Sequence, residues 1–383
     1  MIIMKLETGI PKMDELLEGG IPSKSVVLIL SDPLVDAATF VQQMVSTRLL
    51  EGDKCIYLVT NKLPENVIEN MYRHGFATKN IVFVDGFSYT VKKESKAPYV
   101  LQRLITDGRE TWEDMKALWR KALENEAGIK FAVWDCLQTF MGFSSEISEF
   151  IRECKKLNEE TRTTSVFILT DWGYKKEELE AIKKEFDLVI ETATITKKLL
   201  YLNYYKIDDK PAIPFEITLT GVKLYIPKIL ITGPYNAGKS TLVKQLSETA
   251  VSIDRLGTTI ALDHGYVEKK GFACNLFGTP GQERFDWIME VLSRDVWGVI
   301  LIVDSTQPET FSRALEMLEK VKKENIPFVV FANKQDLEDA LSPEEIKERL
   351  GVPMVIGGSA LRGENTEKVL LTLFEEILKR RVF

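Results

Sequence analysis

The sequence predicts an α/β protein built of two three-layer domains, each a largely parallel sheet covered by helices on both faces. Three observations carry this. The chain has 383 residues, enough for two or three compact units at roughly 100–200 residues each. Two segments share one opening, an apolar strand followed by a turn and a helical pattern: Val26 to Leu30 into the helix Thr39 to Leu50, and Lys228 to Ile231 into the helix Thr241 to Glu248. Each opening is then followed by alternating strand and helix patterns, the signature of βαβ units.

Taken in order, the later strands of the first half read as Cys55 to Val59, Ile81 to Val84, Phe131 to Trp134 and Ser165 to Leu169. Lys206 to Pro214 holds two prolines and a charged cluster, and reads as the end of an edge hairpin or as a linker. The domain boundary is expected near residue 226, giving domains 1–226 and 227–383. In the second half an antiparallel hairpin is expected from Thr259 to Phe277, then strands Val299 to Val303 and Phe328 to Phe331.

Composition bounds the function. Apolar residues make up 45% and charged residues 28%, which is ordinary globular usage. Residues 1–226 carry 30 basic and 34 acidic groups and the remainder 20 and 23, so neither half is a basic nucleic-acid module. The Lys92 to Lys96 stretch reads as a solvated loop. No apolar run reaches the roughly 18–20 residues of a membrane helix, and neither end shows a signal peptide or a prenylation motif. The expected setting is therefore cytoplasmic, without a membrane anchor. Cys55, Cys136, Cys154 and Cys274 are scattered, without metal or redox spacing, and two histidines cannot build a multi-histidine metal site.

Gly233-Pro234-Tyr235-Asn236-Ala237-Gly238-Lys239-Ser240 fits G-x-x-x-x-G-K-[ST] between a strand and a helix. In such a loop the glycines let backbone N–H groups turn inward around a phosphate, and the helix N-terminus adds positive potential. Gly233, Asn236, Ala237, Gly238 and Thr241 would form the cradle. Lys239 would reach the β- and γ-phosphates, and the Ser240 hydroxyl would ligate Mg²⁺. Asn333-Lys334-Gln335-Asp336 follows a buried strand. The Asp336 carboxylate can accept the N1–H and the exocyclic amine of guanine, a pairing that adenine cannot supply. Lys334 can lay its stem along the base, Asn333 can tie this loop to the phosphate loop, and Ser359-Ala360-Leu361 offers the Ala360 N–H to the guanine O6. GTP or GDP with Mg²⁺ is the expected ligand.

These residues resemble the Ras-like small GTPases, most closely their Rab, Arf and prokaryotic branches, from 228 to about 380. Phe331 to Leu337 is similar to the Arf guanine loop, and Thr279-Pro280-Gly281-Gln282-Glu283-Arg284-Phe285 to the Rab second switch, with Pro280 where that branch has Ala. The resemblance implies that the Gly281 N–H senses the γ-phosphate and that Gln282 orients the attacking water. It also implies that Thr259, with Thr258 as fallback, closes on Mg²⁺ and the γ-phosphate. One position departs: where the family has an Asp that holds a Mg²⁺-bound water, Gly278 stands. The expected replacement is Asp263 on the preceding strand, with Asp304 as runner-up. A turn near Lys269-Lys270 would set Asp263 opposite Leu276, one diagonal step from Gly278.

Thr8 to Pro22 resembles the opening segment of RecA/KaiC-like ATPases. The next strand leads not into a phosphate loop but into Ser31 to Ala38. Ser31 and Asp36 replace the glycines, Ala37 the lysine and Ala38 the hydroxyl residue. Thr60-Asn61-Lys62 stands where that family has a catalytic acidic pair. Asp135 matches the metal-handling Asp, though simple turn chemistry is the favoured account of it. The fold class expected is thus two P-loop-type domains, a degenerate RecA/KaiC-like sheet and a Ras-like sheet with one antiparallel edge hairpin.

The leading expectation is a GTP-hydrolysing switch fused to an inactive scaffold, partner-binding or dimerisation domain, acting with a protein effector or activating protein. The alternatives are a GTP/GDP-binding module without significant hydrolysis, and a KaiC-type ATPase working through the first half. Arg255 and Arg284 near the switches read as surface residues.

Overall fold

The computed structural model describes residues 4–106, 108–197, 200–247, 249–254, 261–269, 271–281, 292–321 and 326–380. The contacts divide the chain into two units, Met1–Leu224 and Tyr225–Phe383. Among the described residues, no helix is long and apolar enough to cross a membrane.

The first unit opens with a small ribbon, β1 (Lys5–Leu6) on β2 (Ile21–Pro22), flanking α1 (Pro11–Leu16). Asp14 fixes this segment, accepting from the Thr8 N–H, the Thr8 hydroxyl and the Gly9 N–H. Then come β3 (Val26–Ser31), α2 (Ala37–Leu50), β4 (Lys54–Val59), α3 (Pro64–Arg73), β5 (Ile81–Asp85) and β6 (Tyr99–Val100). They are followed by α4 (Arg109–Asn125), β7 (Ile129–Asp135), α5 (Ser144–Thr161), β8 (Thr164–Thr170) and α6 (Lys176–Lys183). Next is the meander β9 (Leu188–Lys197), β10 (Leu200–Ile207) and β11 (Ile213–Thr218). In the sheet order β9-β3-β8-β7-β4-β5-β6 every neighbour is parallel. All six residues of β3 are buried, as a parallel strand covered on both faces requires.

One face of this sheet packs an aromatic core of Trp112, Trp119, Trp134, Phe140, Phe150 and Phe167. On α2, Phe40 meets Tyr205 and Phe215 edge-on. The stretch from Lys206 to Pro214 is the turn of the antiparallel β10–β11 hairpin, not a linker. The long strands β9 and β10 were not legible in the sequence. Their alternation of apolar residues with Thr, Asn, Tyr and Lys suits a sheet with one solvated face.

β12 (Gly221–Thr232) carries the chain out of the first unit; residues 221–224 pair with β11 and residues 229–232 with a strand of the second. The second unit continues with α7 (Lys239–Leu246), β13 (Thr249–Asp254), β14 (Ala261–Lys269), β15 (Phe272–Gly278) and β16 (Gly298–Asp304). After these come α8 (Phe311–Val321), β17 (Phe328–Asn333), α9 (Pro343–Leu350), β18 (Val355–Gly357) and α10 (Thr366–Arg380). β12, β16, β17 and β18 run parallel. One face carries α8, whose Phe311, Ala314, Met317, Leu318 and Val321 form a helical apolar stripe, together with Ile346 of α9. The other carries α10, with Leu373 and Ile377 against Gly298. α9 is set by its own ends: a Ser342–Glu345 capping box, Pro343 in the first turn and Gly351 in the left-handed conformation.

Two expectations about the antiparallel edge are corrected. It holds three strands, not a single hairpin, because Thr249–Asp254 adds to β14. The hairpin also turns one residue later than expected, with Lys269 opposite Phe272. Asp263 therefore faces Gly278 directly and not Leu276. Gly271, at φ +94°, accounts for the shift, because a tight turn needs a residue at ease with positive φ.

Candidate functional site

The strongest candidate site stands at the carboxyl end of β12. Its loop closes on Gly238, which caps α7 at φ +104°; a side chain there would lie 2.2 Å from the Asn333 amide. Asn236, at φ +63°, makes the preceding turn with its side chain exposed, and Ala237 is buried. Gly233 is buried at the end of the strand, and Thr241 lies half-buried in the first turn of α7.

Lys239 is buried, and its ammonium donates to the carbonyls of Gly233 at 2.8 Å and Pro234 at 2.6 Å. Burial pushes its pKa down to about 8, opposed by the Asp263 charge. Gly281 packs closely on the same loop: a Cβ there would sit 2.7 Å from the Lys239 Nζ and 2.7 Å from the Tyr235 nitrogen. Glycine is thus the residue that lets the 279–281 segment approach the phosphate loop.

The second loop is fastened to the first by Asn333. Its amide donates to the Ala237 carbonyl at 2.8 Å, and its Oδ1 accepts the Ala360 N–H at 2.8 Å. The Ala360 N–H, expected to face a guanine O6, is thus directed at Asn333. The turn is pinned further by Gln335, whose backbone N–H donates to Gly358 and whose amide donates to Ser305 and Leu341. Lys334, at φ +68°, pairs with the buried Asp304 at 2.5 Å. Burial would raise the Asp304 pKa, but hydrogen bonds from Lys334 and Thr306 hold it below the usual carboxylate range. Asp304 is therefore committed to the base loop, which weighs against it as the runner-up metal ligand. Asp336 is nearly buried, with the Arg362 guanidinium 3.5 Å from its Oδ2. Ser359 is buried, its hydroxyl accepting the Arg362 N–H, and Leu361 is exposed. Sequence reasoning missed Arg362 and the anchoring role of Asp304; neither has a spacing signal, since both meet their partners across loops.

Asp263 reaches the phosphate loop. Its Oδ2 accepts from the Ser240 hydroxyl at 2.5 Å, and its Cβ would lie 3.1 Å from a Cβ at Gly278. A hydroxyl and a carboxylate at the start of α7 form an all-oxygen donor set, the kind that Mg²⁺ accepts. Thr259, its fallback Thr258, Gln282, Arg255 and Arg284 lie outside the described residues.

The corresponding corner of the first unit is built differently. Asp36 caps α2, accepting from the Thr39 N–H at 3.0 Å and the Thr39 hydroxyl at 2.6 Å. A carboxylate thus occupies the helix N-terminus where a phosphate loop would bring its anion. At the end of β7, Asp135 accepts from Lys62 at 2.8 Å and from the fully buried Tyr57 hydroxyl at 3.0 Å. Lys62 therefore supplies a positive charge to that nearly buried carboxylate.

Two protein families match the chain. The KaiC ATPase family matches residues 6–198, and the ADP-ribosylation factor family matches residues 217–373. An uncharacterized protein of Methanocaldococcus jannaschii is 24% identical over 143 residues, 37% of this chain and 92% of that protein. ADP-ribosylation factor-related protein 1 of rat and of mouse is 35% identical over 130 residues. That match covers 31% of this chain and 64% of each relative. Among solved structures, a KaiC-like protein from Pyrococcus horikoshii OT3 overlies 59% of this chain and all of its own at a TM-score of 0.48 and 18% identity. The chain belongs to the KaiC ATPase family by its first half and carries an ADP-ribosylation factor-family GTPase domain in its second.

Proposed function

We propose that the second half, from about residue 227, is a GTP-binding switch that slowly hydrolyses GTP to GDP with Mg²⁺. The observation that carries this reading is the Asn333 bridge, which joins the phosphate loop at Ala237 to the base-reading loop at Ala360. Asp336, three residues on, supplies the guanine-selective carboxylate. Lys239 binds the β- and γ-phosphates from its buried position, and Gly281, packed on the same loop, offers its N–H to the γ-phosphate. Gln282, next in the chain, orients the attacking water. Ser240, Asp263 and Thr259 would hold Mg²⁺. When bound, the ion neutralises charge on the phosphate oxygens. Turnover is slow without an arginine from an activating protein, worth roughly 10³–10⁵ in rate.

The first half serves this switch as a scaffold or partner-binding domain, one that could also pair copies of the chain, and not as an ATPase. Asp36 and Lys62 support that reading, since both charges of a nucleotide–metal pair already have side-chain substitutes there. The nucleotide that copurifies with the full chain tests both claims: about one guanine nucleotide and no adenine nucleotide per chain is expected. ATP binding by a Lys239→Ala variant would reinstate the KaiC-type activity.

A second reading, a GTP/GDP-binding module without hydrolysis, is favoured by Gly278 alone. Single-turnover hydrolysis with Mg²⁺ decides between them, and a rate that Gln282→Leu leaves unchanged supports the module.

A further inference from the structure

A cavity of about 380 Å³ lies in the first unit at the amino ends of its central strands, the edge opposite the Asp36 and Asp135 corner. Three cations line it, one at the start of each of three adjacent parallel strands. Lys24 precedes β3, Arg162 precedes β8, and Lys130 is the second residue of β7. Ser23 and Thr164 add hydroxyls, and Met4 and Leu6 form an apolar wall.

The sheet holds these charges together. β3–β8 and β8–β7 are hydrogen-bonded neighbours, so the backbone positions that carry the three cations are fixed side by side. Two of the three also sit on costly backbone: Lys24 at φ +66° and Arg162 at φ +57°. Left-handed conformation costs a side-chain-bearing residue about 1 kcal/mol, and glycine or asparagine would relieve it. Lys24 is nonetheless locked there by its N–H on the Thr164 hydroxyl at 2.8 Å. Its ammonium pairs with Glu159, which is largely exposed, so that pairing is weak and readily shared. Among the described residues, Lys130 and Arg162 have no ion-pair partner. Two uncompensated cations, a third held weakly and two hydroxyls converge on one concavity, in a chain whose net charge is −7.

We propose that this cavity binds a small organic phosphate. Its phosphate lies among Lys130, Arg162 and Lys24, where charge-assisted hydrogen bonds are strong, and its organic part lies against Met4 and Leu6. The volume, and a chain net charge of −7, favour a small molecule over a nucleic-acid strand, which needs a continuous basic track.

The test is calorimetric titration of the full chain with phenyl phosphate and with inorganic phosphate, at moderate salt. One-to-one binding is expected in the wild type with its phosphate loop saturated by GDP and in Lys239→Ala, with phenyl phosphate the tighter ligand. In the Lys130→Gln/Arg162→Gln variant it should weaken about tenfold or more, while Lys130→Arg/Arg162→Lys keeps most of it. Far-UV circular dichroism checks that each variant is folded. Absence of saturable binding in the wild type overturns the proposal. So does binding that survives the glutamine pair, equal affinity for the two probes, loss of binding in Lys239→Ala alone, or tighter binding of a short oligonucleotide than of phenyl phosphate.

Discussion

Asp263 lies directly across the antiparallel ladder from Gly278, and its carboxylate accepts the hydroxyl of Ser240 at the start of α7. The carboxylate missing from the second-switch position therefore has a counterpart on the neighbouring strand, beside the hydroxyl that belongs to the phosphate loop. Gly278 is what makes room: a Cβ there would stand 3.3 Å from Asp263 Oδ2.

Asp263→Ala should weaken Mg²⁺-dependent GTP binding about tenfold or more, read by titrating Mg²⁺ against the affinity for a fluorescent GTP analogue. In that background, Gly278→Asp should return part of the loss by restoring a carboxylate across the ladder. Gly278→Asp alone sets two carboxylates side by side and should lower the unfolding temperature without Mg²⁺ more than with it. An unchanged Mg²⁺ dependence in Asp263→Ala would remove Asp263 from the metal site.

Asn333→Ala removes one side chain and strands two buried backbone groups, the Ala237 carbonyl and the Ala360 N–H. The expected cost is about 2 kcal/mol or more in stability, measured by urea unfolding of the second half. GDP release should accelerate as well, because the phosphate and base loops lose their common fastening.

Lys239 gives a pH signature. Its pKa, lowered by burial to about 8 in the folded chain, lies below the ordinary lysine value of 10.5. The unfolded state therefore binds more protons between these two values, and stability contributed by this group rises with pH across that window. Below about pH 8 the cost of burying the ammonium is fully present, on the order of 3 kcal/mol before its carbonyl contacts offset part of it. Lys239→Met should flatten the rise, seen as the difference between wild-type and variant unfolding curves at pH 7.5 and pH 10 in nucleotide-free protein. Parallel curves would show that the ammonium is not desolvated.

Lys62→Met leaves the buried Asp135 without its cation, and should cost the first half about 3 kcal/mol. The double variant Lys62→Met/Asp135→Asn should recover most of that, because the uncompensated charge is gone. Urea unfolding followed by tryptophan emission reads this unit through Trp112, Trp119 and Trp134 in its core, once Trp287 and Trp297 of the second half are replaced by Phe. Equal losses in the single and double variants would mean that the ion pair contributes nothing specific.

The fold class and both strand-turn-helix openings were legible because they rest on local signals: buried apolar runs, glycine at a positive-φ position and the spacing of the phosphate and base loops. The meander of β9 and β10 was not, because its one-faced alternation is weak beside the buried parallel strands. The third antiparallel strand, β13, escaped because its only signal is the β14 edge on which it pairs. Within the candidate site, the proximity of the Asn333 loop to the Lys239 loop could be read from motif spacing. Arg362 beside Asp336 and Lys334 on Asp304 could not, since each pairs across a loop.

By itself the sequence determined two P-loop-type folds, of which only the second keeps the Lys and Ser/Thr of a phosphate loop, because that is a matter of residue identity. Only the tertiary structure decided what replaced the losses. Strand register placed Asp263 opposite Gly278, and chain folding brought Lys62 to Asp135. Each depends on positions a one-residue slip would separate, and register is fixed by turns and packing, which spacing along the chain does not record.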